Sequence, residues 1–142
     1  MIAHTHRLRV YYEDTDAGGV VYHARYLAFA ERARTEALRD AGLPHADMHR
    51  EHGVIFMVRR LELEYFRPAR LDDVLSIRTE MLAFTGATVT LRQSFFISEG
   101  DLGEPQAEPV ALVVARVLLA CVKAATGGAA RIPSRWRAAL AA

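Results

Sequence analysis

The spacing of apolar and polar residues changes along the chain, and each change predicts an element. Arg7–Glu13, "RLRVYYE", alternates and is rich in β-formers, which predicts a first strand. From Val21 to Ala41 the period lengthens. Tyr22, Tyr26, Phe29, Ala30, Ala33, Ala37 and Ala41 recur every three or four residues, while Arg25, Arg32, Glu36, Arg39 and Asp40 fill the other faces. This predicts one long amphipathic helix, stopped by Gly42 with Pro44 beyond it. The lower part of its stripe is alanine, so whatever packs there comes close.

After a short helix expected at Ala46–Glu51, a strand-like pattern takes over at Val54–Phe66, Val74–Phe84, Ala87–Ser98 and Val110–Val122. Thr85-Gly86 predicts a hairpin between the second and third of these, and "EGDLGEP" a looser turn after the third. "VALVVARVLLACV" is apolar on both faces. Its valines and its place at the end of a hairpin series favour a buried strand over a helix. Ser134–Ala141 reads as a short terminal helix after Pro133. One strand, one long helix and four more strands suit an α+β domain: a five-stranded antiparallel sheet whose single covered face wraps the central helix, the pattern of a hotdog fold. With 142 residues the expectation is one domain, 1–142, and a site for a large substrate calls for a second subunit.

Composition narrows the function. A net charge of +1 makes no case for nucleic acid, which needs a clustered basic surface, and small-molecule chemistry is the better starting point. All but one of the 18 basic residues are Arg, scattered through the chain. Cys121 has no partner within the chain, which excludes a disulfide framework and suits a reducing compartment. The N-terminus lacks the apolar core of a signal peptide. The longest apolar stretch is too short to span a bilayer, so a cytoplasmic protein is expected.

The chemistry-bearing stretch is "YYEDTDAGGVVYHARY", where Glu13, Asp14 and Asp16 precede two glycines and the start of the helix. If the segment is extended, Asp14 and Asp16 point in opposite directions and only one is available for chemistry. A helix starting near Val21 or Tyr22 presents unpaired N–H groups and a partial positive charge. A carbonyl resting there would be stabilised as it became an oxyanion, and a carboxylate just upstream could attack it or activate water. The same residues would equally serve as turn and helix caps. An EF-hand loop is excluded, because Gly18 occupies a ligand position and Arg25 stands where the bidentate Glu belongs. His23, placed in the first helical turn, could position substrate or relay a proton. Tyr12, placed on the strand beside the loop, is a candidate donor to substrate or a core residue.

Two other clusters are weighed. His45, His49 and His52 raise the question of zinc, but "HREH" matches neither HExxH nor HxxEH, and no fixed carboxylate ligand accompanies it. Arg59, Arg60, Arg67 and Arg70 could hold phosphates of a nucleotide-bearing substrate, or lie solvated and paired with Asp72 or Asp73. No GxGxxG or GxxxxGK[ST] is present, so neither a dinucleotide nor an NTP site is indicated.

From "RVYYEDTDAGGVVYHARYLAFAERARTEALRDAGL" through "YFRPARLDDVLSIRTE" the chain resembles the hotdog-fold acyl-CoA thioesterases of the 4-hydroxybenzoyl-CoA thioesterase family, in the bacterial Tol-Pal-associated branch. The likeness covers nearly the whole chain and weakens after about Pro105. Ala17 stands where some relatives have Pro. The resemblance implies hydrolysis of an acyl-CoA thioester with no cofactor or metal, Asp16 as the catalytic carboxylate, and the backbone N–H of His23 polarising the carbonyl. The side chains of Tyr12 and His23 would assist. It also implies dimers joined edge to edge, pairing into homotetramers, with cell-envelope or lipid-metabolism protein partners. The alternatives are a hotdog hydratase or dehydratase, which needs a base aimed at an α- or β-carbon, and a non-catalytic partner in a cell-envelope assembly.

Overall fold

The computed structural model describes residues 3–98 and 110–142. In chain order it contains β1 (His4–Arg9), a 3₁₀ turn (Tyr12–Asp14), α1 (Arg25–Asp40), α2 (His45–His52), β2 (Val54–Tyr65), β3 (Val74–Phe84), β4 (Thr88–Ile97), β5 (Val113–Lys123) and α3 (Ser134–Ala141). The strands form one antiparallel sheet in the order β1-β3-β4-β5-β2, and α1 lies against one face of it. The expected α+β arrangement is therefore present. The looser turn expected at "EGDLGEP" lies outside the described residues.

The alternation of each strand places its apolar set on the helix side. Leu75, Ile77 and Thr79 of β3, Leu91, Gln93 and Phe95 of β4, and Val113, Ala115, Val117 and Leu119 of β5 are buried, while Arg78, Arg92 and Arg116 point to the opposite, exposed face. Tyr26, Phe29, Ala30, Ala33 and Ala37 of α1 complete the core, and the alanines let the helix backbone lie close to the sheet. Fully burying Phe29 or Ile77 stabilises the fold by about 1.5–3 kcal/mol each.

In β2 a bulge between Val58 and Arg60 changes the parity. Before it Phe56 and Val58 stand opposite Cys121 and Leu119; after it Leu61, Leu63 and Tyr65 stand opposite Val117, Ala115 and Val113. The extra residue thus keeps even-numbered and then odd-numbered side chains on the helix face. Among the described residues no strand pairs with the other side of β2, where Met57 and Val58 are about half exposed.

Several boundaries differ from expectation. The first strand is His4–Arg9 rather than Arg7–Glu13, because Asp14 folds Tyr12–Asp14 into a 3₁₀ turn by accepting the Tyr11 N–H at 2.8 Å. Helix α1 begins at Arg25 rather than Val21, because Val20 and Val21 are held in β-bridges to Arg70 and Thr15. The hairpin at Thr85-Gly86 forms, with the Thr85 hydroxyl accepting the Thr88 N–H at 3.0 Å. The last strand starts at Val113 rather than Val110, and α3 occupies the expected residues.

Candidate active site

The segment between the 3₁₀ turn and α1 is a closed loop with its own pairing. The Asp16 N–H donates to the Val20 carbonyl at 2.9 Å and the Tyr22 N–H to the Asp14 carbonyl at 2.9 Å. Val21 is tied from the other side, its N–H bonding the Ala69 carbonyl at 2.8 Å. Asp16 is therefore fixed beside the strand-like residues that lead into the helix. Gly19 lies at φ 78°, in the left-handed region that glycine adopts without strain, and its N–H closes the turn on the Asp16 carbonyl.

The two aspartates part company. Asp14 is buried, with one carboxylate oxygen on the Tyr11 N–H and the other on Arg25 Nε at 2.7 Å. It joins the 3₁₀ turn to the first residue of α1. Asp16 is exposed; its Oδ1 accepts the Gly18 N–H at 2.8 Å, and Oδ2 has no partner among the described residues. The separation expected from an extended strand is achieved instead by the 3₁₀ turn and the loop that follows.

His23 precedes the helix rather than sitting in its first turn: the N-cap is Ala24. The N–H groups of His23 and Ala24 have no partner among the described residues, and both lie just past the Val21 bridge. The His23 ring lies against Tyr22, centroids 4.4 Å apart. Tyr12 lies on the 3₁₀ turn, not on a strand, and its side chain is 82% exposed. A core role for Tyr12 is thereby excluded.

Three further residues of this region hold contacts that the pattern of the chain did not reveal. Tyr65, at the end of β2, donates its hydroxyl to the His23 carbonyl at 2.7 Å. Burial raises its phenol above the ordinary value. Tyr26 packs edge-on against Tyr65 at 5.7 Å and its hydroxyl accepts the Ala69 N–H at 3.2 Å. Burial raises the Tyr26 phenol as well, opposed in part by that N–H. Arg25, which reads from sequence as a polar-face residue, is the clasp on Asp14. A tyrosine at a strand end gives no hint of a partner 42 positions away, so sequence periodicity could not have found the first of these.

The other clusters do not assemble. His45 is half-buried, His49 is exposed, and His52 lies edge-on to Trp136 at 5.6 Å; among the described residues no group of His, Cys, Asp or Glu is placed to hold a metal ion. Arg59, Arg60, Arg67 and Arg70 are all exposed and none forms an ion pair among the described residues. The expected pairing with Asp72 or Asp73 is replaced by a turn in which Asp73 accepts the backbone N–H of Arg70 at 2.8 Å.

A loop with an exposed carboxylate beside open N–H groups thus leads into the one long helix that the sheet packs, and comparison with known proteins gives the family. The family model described as the thioesterase-like superfamily matches residues 10–140, so the chain belongs to that superfamily and has the hotdog fold. The acyl-CoA thioester hydrolase YbgC of Escherichia coli O157:H7 is 47% identical over 115 residues, covering 81% of this chain and 78% of that protein. A probable thioesterase from Bartonella henselae superposes with a TM-score of 0.79 at 36% identity, over 92% of this chain and 99% of that one. A mutant 4-hydroxybenzoyl CoA thioesterase, solved with 4-hydroxybenzoyl CoA, superposes with a TM-score of 0.84 over 97% and 98% of the two chains; at 18% identity it speaks for the fold alone. Among the described residues no helix is long and apolar enough to cross a membrane.

Proposed function

We propose that this protein hydrolyses acyl-CoA thioesters to a free carboxylic acid and coenzyme A. The observation that carries the reading is the exposed Asp16 carboxylate, steered by one bond to Gly18 and held beside the unpaired N–H groups that precede α1. The names of the related proteins supply the substrate class.

In this mechanism the thioester carbonyl rests on the N–H groups of His23 and Ala24, where charge develops on its oxygen. Asp16 either attacks the carbonyl carbon, giving a mixed anhydride that water opens, or takes a proton from the water that attacks. Both routes form a carbon–oxygen bond, break the carbon–sulfur bond and leave coenzyme A with a proton on sulfur. His23 and Tyr12 line the approach and assist through their side chains. Asp14 serves the scaffold, since both of its oxygens are engaged.

The free edge of β2, with Met57 and Val58 half exposed, supports a homodimer joined edge to edge and pairing further into a homotetramer. We further propose, from the family resemblance, a cytoplasmic enzyme with cell-envelope or lipid-metabolism protein partners. The test is a panel of acyl-CoA thioesters assayed for released thiol. Turnover of at least one, with wild-type protein only and not with Asp16→Asn, supports the reading; no turnover on any member removes it.

A further inference from the structure

At the centre of the face that α1 covers, the sheet presents an amide. Gln93 stands on β4, the middle strand, between buried Leu91 and Phe95, with Thr79 of β3 and Ala115 of β5 directly opposite. Gln93 and Thr79 are both fully buried. An amide drawn out of water at such a place is costly unless its donors and its acceptor are met. Here Nε2 donates to the Ala30 carbonyl at 2.8 Å and to Thr79 Oγ1 at 3.0 Å, and Oε1 accepts from Arg34 Nη1 at 3.4 Å. The set forms in one orientation only, because a turned amide would set its oxygen against the Ala30 carbonyl.

Ala30 is an interior residue of α1, so its carbonyl also takes the helical N–H four residues on, and Gln93 occupies the second lone pair. The bond therefore ties the sheet to the helix backbone, not to a side chain that could swing. Its weight follows from what surrounds it. Tyr26 and Phe29 key the first turns of α1 into the core, but beyond them the buried stripe is Ala30, Ala33 and Ala37. Alanines let the helix lie close, yet they offer no large side chain to interlock with the sheet and resist small sliding or rotation poorly. A hydrogen bond tolerates only about half an ångström of displacement. From Ala30 to Ala24 at the helix tip is about 9 Å at 1.5 Å per residue, so a shift at Ala30 is carried to the tip. Tyr65 holds that tip from β2 through the His23 carbonyl, and Gln93 holds the same helix from beneath.

We propose that Gln93 is a positioning residue: its bond to the Ala30 carbonyl sets where α1 lies along the sheet, and with it how far the His23 and Ala24 N–H groups stand from the Asp16 carboxylate. A single buried polar side chain can fix the register of packed elements at a cost in stability, as one buried Asn does in a coiled coil. The consequence for turnover rests on the thioesterase reading; the placement of the helix tip does not.

The experiment compares the full wild-type chain with Gln93→Met, which fills the space without a strong donor or acceptor, and with Leu91→Met, a buried change two positions along the same face of β4. Backbone ¹⁵N–¹H resonances are followed at His23, Ala24 and Arg25. They shift or broaden in Gln93→Met and stay in place in Leu91→Met. On the best acyl-CoA, kcat of Gln93→Met falls roughly tenfold, the scale of a misplaced reacting group, while KM stays within about twofold. A role confined to stability would lower the melting temperature and leave both kcat and the tip resonances alone. Unmoved tip resonances in Gln93→Met, equal shifts in Leu91→Met, or unchanged kcat on a thioester that the wild type cleaves overturns the proposal. If the wild type cleaves no thioester, the functional reading fails and the resonances alone decide the placement of the tip. Should Gln93→Met not fold, Thr79→Val, which takes one acceptor from the amide and loosens it, decides by the same readouts.

Discussion

The hydroxyl of Tyr65 donates to the carbonyl of His23 at 2.7 Å, and that carbonyl belongs to the same peptide unit as the open N–H of Ala24. A hydrogen bond received at one end of a peptide polarises the other end, so Tyr65 both fixes the orientation of this peptide and makes its N–H a better donor. Tyr65→Phe keeps the contact with Tyr26 and removes the bond alone. The expected result is a fall in kcat of about 3- to 10-fold with stability lowered by no more than about 1 kcal/mol. Steady-state kinetics and urea unfolding on the same preparation check it, and unchanged kcat would show that this peptide takes no part in turnover.

Gly18 lies against the proposed catalytic group. A Cβ placed on it would stand 3.2 Å from Asp16 Oδ1, tighter than an ordinary contact, and would push the carboxylate from its bond to the Gly18 N–H. Gly18→Ala should therefore lower kcat by roughly tenfold, the scale of a misplaced reacting group, with little change in melting temperature. Gly86→Ala, at the far hairpin with no atom nearer than 3.6 Å, is the control and should be silent in both measurements.

Stability should depend on pH through two histidines. Burial, as the first cause, lowers the pKa of both His45 and His6 below the ordinary 6.5. The unfolded chain then binds protons at these positions before the folded chain does, so stability is fully present above pH 6.5 and declines as the pH falls from 6.5 through the lowered folded values. Unfolding midpoints measured from pH 7.5 down to 5 should drop more steeply in the wild type than in a His6→Gln, His45→Gln double variant. Parallel curves would contradict the assignment.

The unpaired β2 edge should be covered in solution. Light scattering is expected to give a homodimer or homotetramer, and replacing half-exposed Val58 by Lys should shift the population toward monomer. A fully active monomer at nanomolar concentration would contradict an interfacial site.

How much of this was legible follows from the physics of each element. The core face of α1 was readable because Tyr26, Phe29, Ala33 and Ala37 repeat at helical spacing, and β3 and β4 because their buried residues alternate. The start of α1 was not, since Val20 and Val21 fit a helical stripe as well as they fit the bridges that tertiary contacts impose on them. The 3₁₀ turn was hidden for the same kind of reason: "RVYYE" has strand propensity, and a single side chain, Asp14, overrides it. At the site, the stretch containing Asp16 and His23 stood out by its glycines and carboxylates. Tyr65 and the Gln93–Arg34 contact depend on register across the sheet and could not be read from spacing.

The division of labour between Asp14 and Asp16 is the central claim, and one comparison of variants tests it. Asp14→Asn loosens a buried carboxylate from Arg25 and should cost about 1–3 kcal/mol of stability with kcat changed only modestly. Asp16→Asn keeps shape at an exposed position, so melting temperature should stay while kcat falls by about 10²- to 10⁴-fold. The measurement is kcat for both variants on the best acyl-CoA, beside their melting temperatures. Near-wild-type turnover in Asp16→Asn would contradict the account.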